Sequence, residues 1–237
     1  MSRLQATGFV IHRRAYRETS VIVDFFTRQY GRIAVVAKGA RGAGKSDRKS
    51  LLQPLQLLMF EISGRSQLKN LGLLEAVQSP IRLQGLGTYS AMYLNELLMR
   101  AIPETEPMSI LFEQYQQSLL QLAELDVDSP TEHVEVVLRN FEFVLLQDLG
   151  YLPDFTTCAD NAEEIAPQQS YCFIAEQGFV RCPPTQRYAL SGKDILDIEQ
   201  RHYTQSARKV AKYICRQALL PIIGDKPLKS RELFVSQ

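Results

Sequence analysis

Residues 39–46 read GARGAGKS and match the phosphate-binding pattern G-x-x-x-x-G-K-[ST] in full. In such a loop the backbone N–H groups and the lysine cradle nucleotide phosphates, and the dipole of the following helix adds to their pull. A strand-like run at 33–37 precedes the motif, as that chemistry requires. The helix is missing: only DRKSLLQ separates Ser46 from Pro54, and another strand-like run follows at once. Seven residues make about two turns, too short for the crossover helix of a βαβ unit. The later chain has no alternation of strand and helix that would build a parallel sheet. The loop therefore reads as a Gly-rich, basic connector. A P-loop nucleotide-hydrolysing enzyme stays as a rival reading, to be decided by nucleotide turnover.

Other catalytic constellations are thin. Cys158, Cys172, Cys182 and Cys215 contain no C-x-x-C pair, so free thiols and no metal site are expected. His12, His133 and His202 are scattered, and both G-x-S-x-G and H-E-x-x-H are absent. The residues predict a protein that is not an enzyme and needs no cofactor.

The charge is more informative than its near-zero total. Residues 1–50 hold eleven Lys/Arg against three Asp/Glu. Residues 101–180 hold one, Arg139, against fifteen acids, and residues 181–237 return to eleven against five. Blocks of this kind suggest a polyanion-binding end, an acidic middle and a second basic surface. Lys38, Arg41, Lys45, Arg48 and Lys49 fall within twelve residues, with Asp47 the only acid among them. Arg13, Arg14, Arg17 and Arg32 lie on neighbouring segments. One account of the cluster is a solvated loop. The other is a groove tracking phosphates, as small barrels provide for single strands, with Tyr16, Tyr30, Phe25 or Phe26 stacking on bases. Phe25 and Phe26 alternate in an apolar strand, so at least one is expected in the core.

The elements that must position these residues change character along the chain. GFVIHRRA, SVIVDFFT, RIAVVAK, LQLLMFEI and LKNLGLLEAV are five short strands with glycine turn signals. They predict a small closed barrel of OB type over residues 1–80. From about residue 85 the period is helical, with Tyr89, Met92, Tyr93 and Leu97 on one face and Leu111, Tyr115, Leu119 and Leu122 on another. Ser129, Pro130 and Glu132 predict a capping box at the head of a third helix. Its stripe runs through Val134, Val137, Leu138, Phe141, Val144 and Leu145 and stops at Gly150. Residues 151–190 read as an irregular insertion with a hairpin near Gln177-Gly178. Helices from Ser191 and over residues 207–220, and a short one in the tail, complete a mainly helical domain at 81–237. The expected class is α+β. No run is apolar enough for a membrane span and the start lacks a secretory signal, so a cytoplasmic protein is expected.

Several segments together resemble the RecO family of recombination mediators. They are Glu18-Thr19-Ser20 leading to Phe26-Thr27, Gly31-Arg32 leading to VAKGAR, the segment YLNELL from Tyr93, LRNFE from Leu138 with Leu149-Gly150-Tyr151, and KPLKSREL from Lys226. The resemblance spans nearly the whole chain. It implies an OB domain followed by a helical domain, binding of single- and double-stranded DNA, annealing of complementary strands and no nucleotide hydrolysis. It also implies work with RecR to load RecA onto single strands covered by the single-stranded DNA-binding protein SSB. The family's basic loop carries over to Lys38, Arg41, Lys45 and Lys49, and Arg14, Arg32 and Arg48 extend it. Some members hold zinc in a four-cysteine cluster, and the spacing here looks like the zinc-free branch. Members capture the acidic C-terminal tail of SSB in an apolar pocket of the helical domain. That puts Arg139 forward as a carboxylate grip, walled by Leu138 and Phe141 with Tyr93 or Leu97. The competing account of Arg139 is a helical ion pair to Glu135 or Glu142. An OB-type RNA-binding or ribosome-associated protein is the alternative for the whole chain, separable by binding to DNA and RNA of matched length.

Overall fold

A computed structural model describes residues 3–41, 47–66, 68–126 and 129–234. Five strands, β1 (Leu4–Tyr16), β2 (Ser20–Thr27), β3 (Gly31–Ala37), β4 (Leu57–Ser63) and β5 (Lys69–Ala76), close into a barrel in the order β1-β2-β3-β5-β4. All pairings are antiparallel except the closing contact of β3 with β5. Residues 20–27 are buried along their whole length, because both faces of β2 have something to pack against. Inward, Phe25 stacks on Phe60 with ring centroids 4.1 Å apart. Outward, Phe26 and Phe9 meet Phe112 and Tyr115 at 5.1–6.0 Å. The expected α+β class, an OB-type barrel followed by a helical region, is what the chain forms.

Two helices join the barrel in one compact unit, residues 1–129 together with 227–237. They are α2 (Gly85–Ala101) and α3 (Ser109–Glu124). The buried Tyr115 hydroxyl donates to Asn95 Oδ1 at 2.5 Å, which satisfies a polar tip inside an aromatic cluster. The α2–α3 connection lies against the start of β3, where Thr105 N–H donates to Arg32 O at 2.9 Å. Gly31 makes this approach possible. Its φ is +64°, and a Cβ there would sit 1.8 Å from the Glu106 carbonyl oxygen. The chain end returns as a 3-10 helix, Lys229–Phe234, whose leading N–H groups fall on Glu96. Glu96 accepts from Lys229 N, Ser230 N and Ser230 Oγ at 2.7–3.1 Å and pairs with Arg100 at 2.7 Å.

The second unit, residues 130–226, is built on α4 (Thr131–Asp148), α5 (Gly192–Glu199) and α6 (Gln205–Ile223). A three-stranded sheet adds β6 (Ser170–Ile174), β7 (Gly178–Arg181) and β8 (Leu190–Ser191) in the order β7-β6-β8. The expected hairpin is β6–β7. An aromatic series, Phe143–Phe155–Phe179–Phe173, with centroids 5.4–5.5 Å apart, ties this sheet to α4. The stripe expected on α4 is buried throughout. At the end of α4, Gly150 takes φ +77°, and Gly150 N and Tyr151 N donate to the carbonyls of Gln147 and Leu146.

Three local expectations need correction. Ser129 does not cap α4, because its hydroxyl is engaged by Asp126, donating to Oδ1 at 2.8 Å and accepting from the backbone N–H at 3.0 Å. The residue at the cap position is Pro130, with no side-chain cap bond. The last long helix is longer than residues 207–220: Thr204 accepts from Ala207 N to start it, and it runs past Pro221 to Gly224. Pro54, which from the sequence is expected at a strand's first residue or on an edge, lies before β4, outside any strand.

The Glu96 clamp yields a pH-dependent prediction. Burial pushes this carboxyl up, but hydrogen bonds from Ser230 and Lys229 and the charge of Arg100 outweigh it and leave it below the ordinary carboxylate value. A depressed folded value means the stabilisation is complete above the ordinary value and is lost as pH falls through the folded one. Glu96→Gln should cost about 1–3 kcal/mol in urea denaturation at pH 7. The gap between mutant and wild type should shrink as the pH is taken below about 4. A gap that is the same at both pH values would mean that the charge of Glu96 contributes nothing.

Candidate nucleic-acid interface

Three exposed cations, Arg17, Lys38 and Arg41, lie where the β1–β2 turn meets the exit of β3. Arg17 turns the chain with φ +52°. Arg41 then binds the two segments together: its N–H donates to Thr19 O at 3.0 Å and its Nη1 to Arg17 O at 3.1 Å. An open groove here is lined by Tyr16, Arg17, Glu18, Thr19, Ser20, Val36 and Lys38. The Arg17 guanidinium lies over the half-buried Tyr16 ring at 5.1 Å. Lys38 and Arg41 are exposed, and among the described residues no acid pairs with either. The arrangement is a cationic rim with one accessible aromatic, suited to phosphates and an unstacked base.

The sequence-selected cations divide by how the fold uses them. Lys49 is exposed on the short helix α1 (Asp47–Leu51). Arg48, on the same helix, donates through Nη2 to Gly72 O at 2.6 Å and so pins α1 to β5. Arg14 is half exposed and reaches Asp24 at 3.3 Å. Arg32 is 15% exposed, with Asp24 at 3.9 Å, Glu104 at 3.3 Å and Ile102 O at 3.2 Å from its guanidinium. It braces the α2–α3 connection against the barrel. Lys45 lies outside the described residues. Among the stacking candidates, Phe25 and Phe26 are both fully buried and not available, while Tyr30 packs against the barrel core. Tyr16 is the one that faces the groove. Arg17, whose role in the rim sequence reasoning understated, is betrayed in the sequence only by its place between a strand and the turn residues Glu18-Thr19.

Residues considered for tail capture are divided between the two units. Arg139, Leu138 and Phe141 belong to the second unit, and Tyr93 and Leu97 to the first. All five are buried. The Arg139 side chain is 7% exposed, and its Nη2 meets Glu142 Oε1 at 2.7 Å. Of the two accounts of Arg139, the helical ion pair is therefore present. Tyr203 and Cys215 share this polar core: Tyr203 donates to Asn140 Oδ1 at 3.0 Å, and burial, with the Glu142 charge behind it, pushes the Cys215 thiol well up.

The cysteines stay apart except for one pair. Cys172 and Cys182 bring their sulfurs to 2.8 Å on the hairpin, and burial and this contact push Cys182 up to about 12. Among the described residues no three His, Cys, Asp or Glu side chains gather as a metal ion needs. Also among them, no helix is long and apolar enough to cross a membrane.

The profile of the family described as Recombination protein O N terminal matches residues 1–80 of the chain. That of Recombination protein O C terminal matches residues 82–232. The chain is 44% identical over 232 residues to the DNA repair protein RecO of Alteromonas mediterranea, covering 97% of this chain and 96% of that protein. It is 44% identical to the RecO of Haemophilus influenzae over 96% of this chain and 94% of the relative. The corresponding protein of Vibrio parahaemolyticus is 40% identical, over 99% and 96%.

The buried pair makes a prediction independent of any partner. Arg139→Ala strands the Glu142 carboxylate in the core and should cost about 3–5 kcal/mol in chemical denaturation. Arg139→Met combined with Glu142→Leu should recover most of that loss. A single-variant cost below about 1 kcal/mol, the range of surface pairs, would show that the two groups are solvated.

Proposed function

The chain belongs to the RecO family of DNA repair proteins, and on that footing we propose that it is a recombination mediator rather than an enzyme. In this reading it binds single- and double-stranded DNA on the cationic rim of its barrel, anneals complementary strands and, with RecR, helps load RecA onto SSB-coated single strands. It acts on the nucleoid, in the cytoplasm. The observation carrying the DNA-binding part is the rim itself: Lys38 and Arg41 exposed, without acidic partners among the described residues, locked to the β1–β2 turn by Arg41, beside Tyr16. Lys49 extends it from its exposed place on α1, and the family resemblance adds Lys45, which lies outside the described residues. Arg14 contributes from its half-exposed position, while Arg32 and Arg48 support the rim by holding its neighbours in place.

The phosphate-loop resemblance of residues 39–46 does not lead to a nucleotide in this reading. The helix beyond it, α1, spans five residues, and β4 after it pairs antiparallel with β1 and β5. A helix of that length gives little dipole for phosphates. Family membership also supports capture of the SSB tail on α4, the terminal carboxylate exchanging with Glu142 on Arg139. Leu138 at 8% and Phe141 at 0% exposure must part to admit it. That portion rests on the family rather than on an open pocket.

If Lys38, Arg41, Lys45 and Lys49 each meet a phosphate, log affinity for a single strand should fall against log salt with a slope of about −3. Changing all four to Glu should flatten the slope and weaken every sequence alike, and unchanged affinity would remove DNA from this rim. ATP should not turn over with or without DNA. DNA-stimulated hydrolysis lost in Lys45→Ala would restore the nucleotide reading.

A further inference from the structure

The second unit carries a surface that the proposed function does not use. Tyr188 is 58% exposed and adopts φ +65°. A bulky aromatic rarely takes that left-handed backbone, and strain of this sort is kept where the side chain must be presented. The ring is not repaid by burial. It stacks instead on Tyr213 of α6, with centroids 5.6 Å apart and planes 18° from parallel. The Arg187 guanidinium lies over it at 4.8 Å. Lys209 and Arg216 flank Tyr213 at i−4 and i+3, on the same face of α6, and both are exposed.

The charges here are available, unlike their neighbours. Arg208 and Lys212, also on α6, are spent on Glu132 and Glu135 of α4 at 3.0–3.7 Å. Among the described residues no acid pairs with Arg187, Lys209 or Arg216, and α6 contains no Asp or Glu. Stacked aromatic rings with a guanidinium over one of them and cations beside them are complementary to a strand with unstacked bases and a phosphate backbone. A duplex keeps its base faces covered and offers only the phosphates.

We propose that the Tyr188–Tyr213 stack, with Arg187, Lys209 and Arg216, is a second binding site for single-stranded DNA, carried by the second unit and separate from the barrel rim. This rests on the DNA-binding reading above and adds to it a site of different preference. A protein with a phosphate-tracking rim on one unit and a base-stacking platform on the other has two places for strands.

Tyr188→Gly in the full chain is the informative variant, because glycine accepts φ +65° without strain and removes only the ring. It should keep the thermal midpoint of the wild type or raise it. Its affinity for a single strand should fall about tenfold, within what stacking on one aromatic supports, while duplex affinity stays within about twofold. Tyr188→Phe should bind as wild type. Photocrosslinking to a 5-iodouracil-substituted single strand should label Tyr188 or Tyr213. If Tyr188→Gly binds single strands like wild type and crosslinks fall only on the barrel, this site is refuted and the rim reading stands. Equal losses on single strands and duplex would refute base stacking as its basis. Absence of single-strand binding by the wild type would instead overturn the function proposed above along with this site.

Discussion

Phe26 and Phe25 point to opposite sides of β2, and what each meets determines where the rest of the first unit goes. Phe25 closes the barrel interior on Phe60, while Phe26, with Phe9, receives Phe112 and Tyr115 of α3. A strand buried on both faces has no surface left for a ligand. Burying two phenylalanine rings contributes roughly 3–6 kcal/mol, so this packing is not exchanged for a bound base. The barrel wall that α3 covers is thereby closed, and cations near the covered strands are drawn into structural pairing. Asp24, 2% exposed at its side chain, shows the result: Arg14 and Arg32 both approach it within 3.9 Å. At the rim, where Arg41 joins the β1–β2 turn to the exit of β3, Lys38 and Arg41 stay exposed, and among the described residues no acid pairs with either.

The same logic separates the cations of the second unit. Where α6 faces α4, the acids of α4 take up Arg208 and Lys212. Beside Tyr213 on α6, no acid among the described residues pairs with Lys209 or Arg216, which keep their field for a partner. A near-neutral protein can in this way hold locally strong positive surfaces, because salt screens exposed charges over about 8–10 Å and distant acids do not cancel them. The acidic stretch at 101–180 supplies internal counter-ions to the arginines and lysines that the fold consumes.

Much of this was visible in the residues. The apolar run in SVIVDFFT and the stripe from Val134 to Leu145 are signals produced by burial itself, so strands and helices could be placed from them. Gly150 marked the end of α4 because only that backbone freedom allows the turn found there. The seven residues between GARGAGKS and Pro54 left no room for a crossover helix, and α1 there spans five residues. What resisted reading depends on contacts between distant segments. Ser129 looked like a helix cap, yet Asp126 captured its hydroxyl. Arg32 and Arg48 looked like their free neighbours, but Glu104 and the Gly72 carbonyl, far along the chain, engage them. Phe26 looked available until α3 was known to cover it. Tyr188 gave no signal, since neither its left-handed backbone nor its stack on Tyr213 leaves a local pattern.

The central claim is that DNA lies on the rim between the β1–β2 turn and the β3 exit, not on the covered barrel wall. Hydrogen–deuterium exchange of the full chain with and without a saturating single strand tests it directly. Binding should slow exchange over residues 16–20 and 38–41, where exposed backbone meets the strand. Residues 21–26 of β2, already shielded on both faces, should not change. Slowed exchange confined to other surfaces, with residues 16–20 and 38–41 exchanging as fast in the complex as in the free protein, would contradict it.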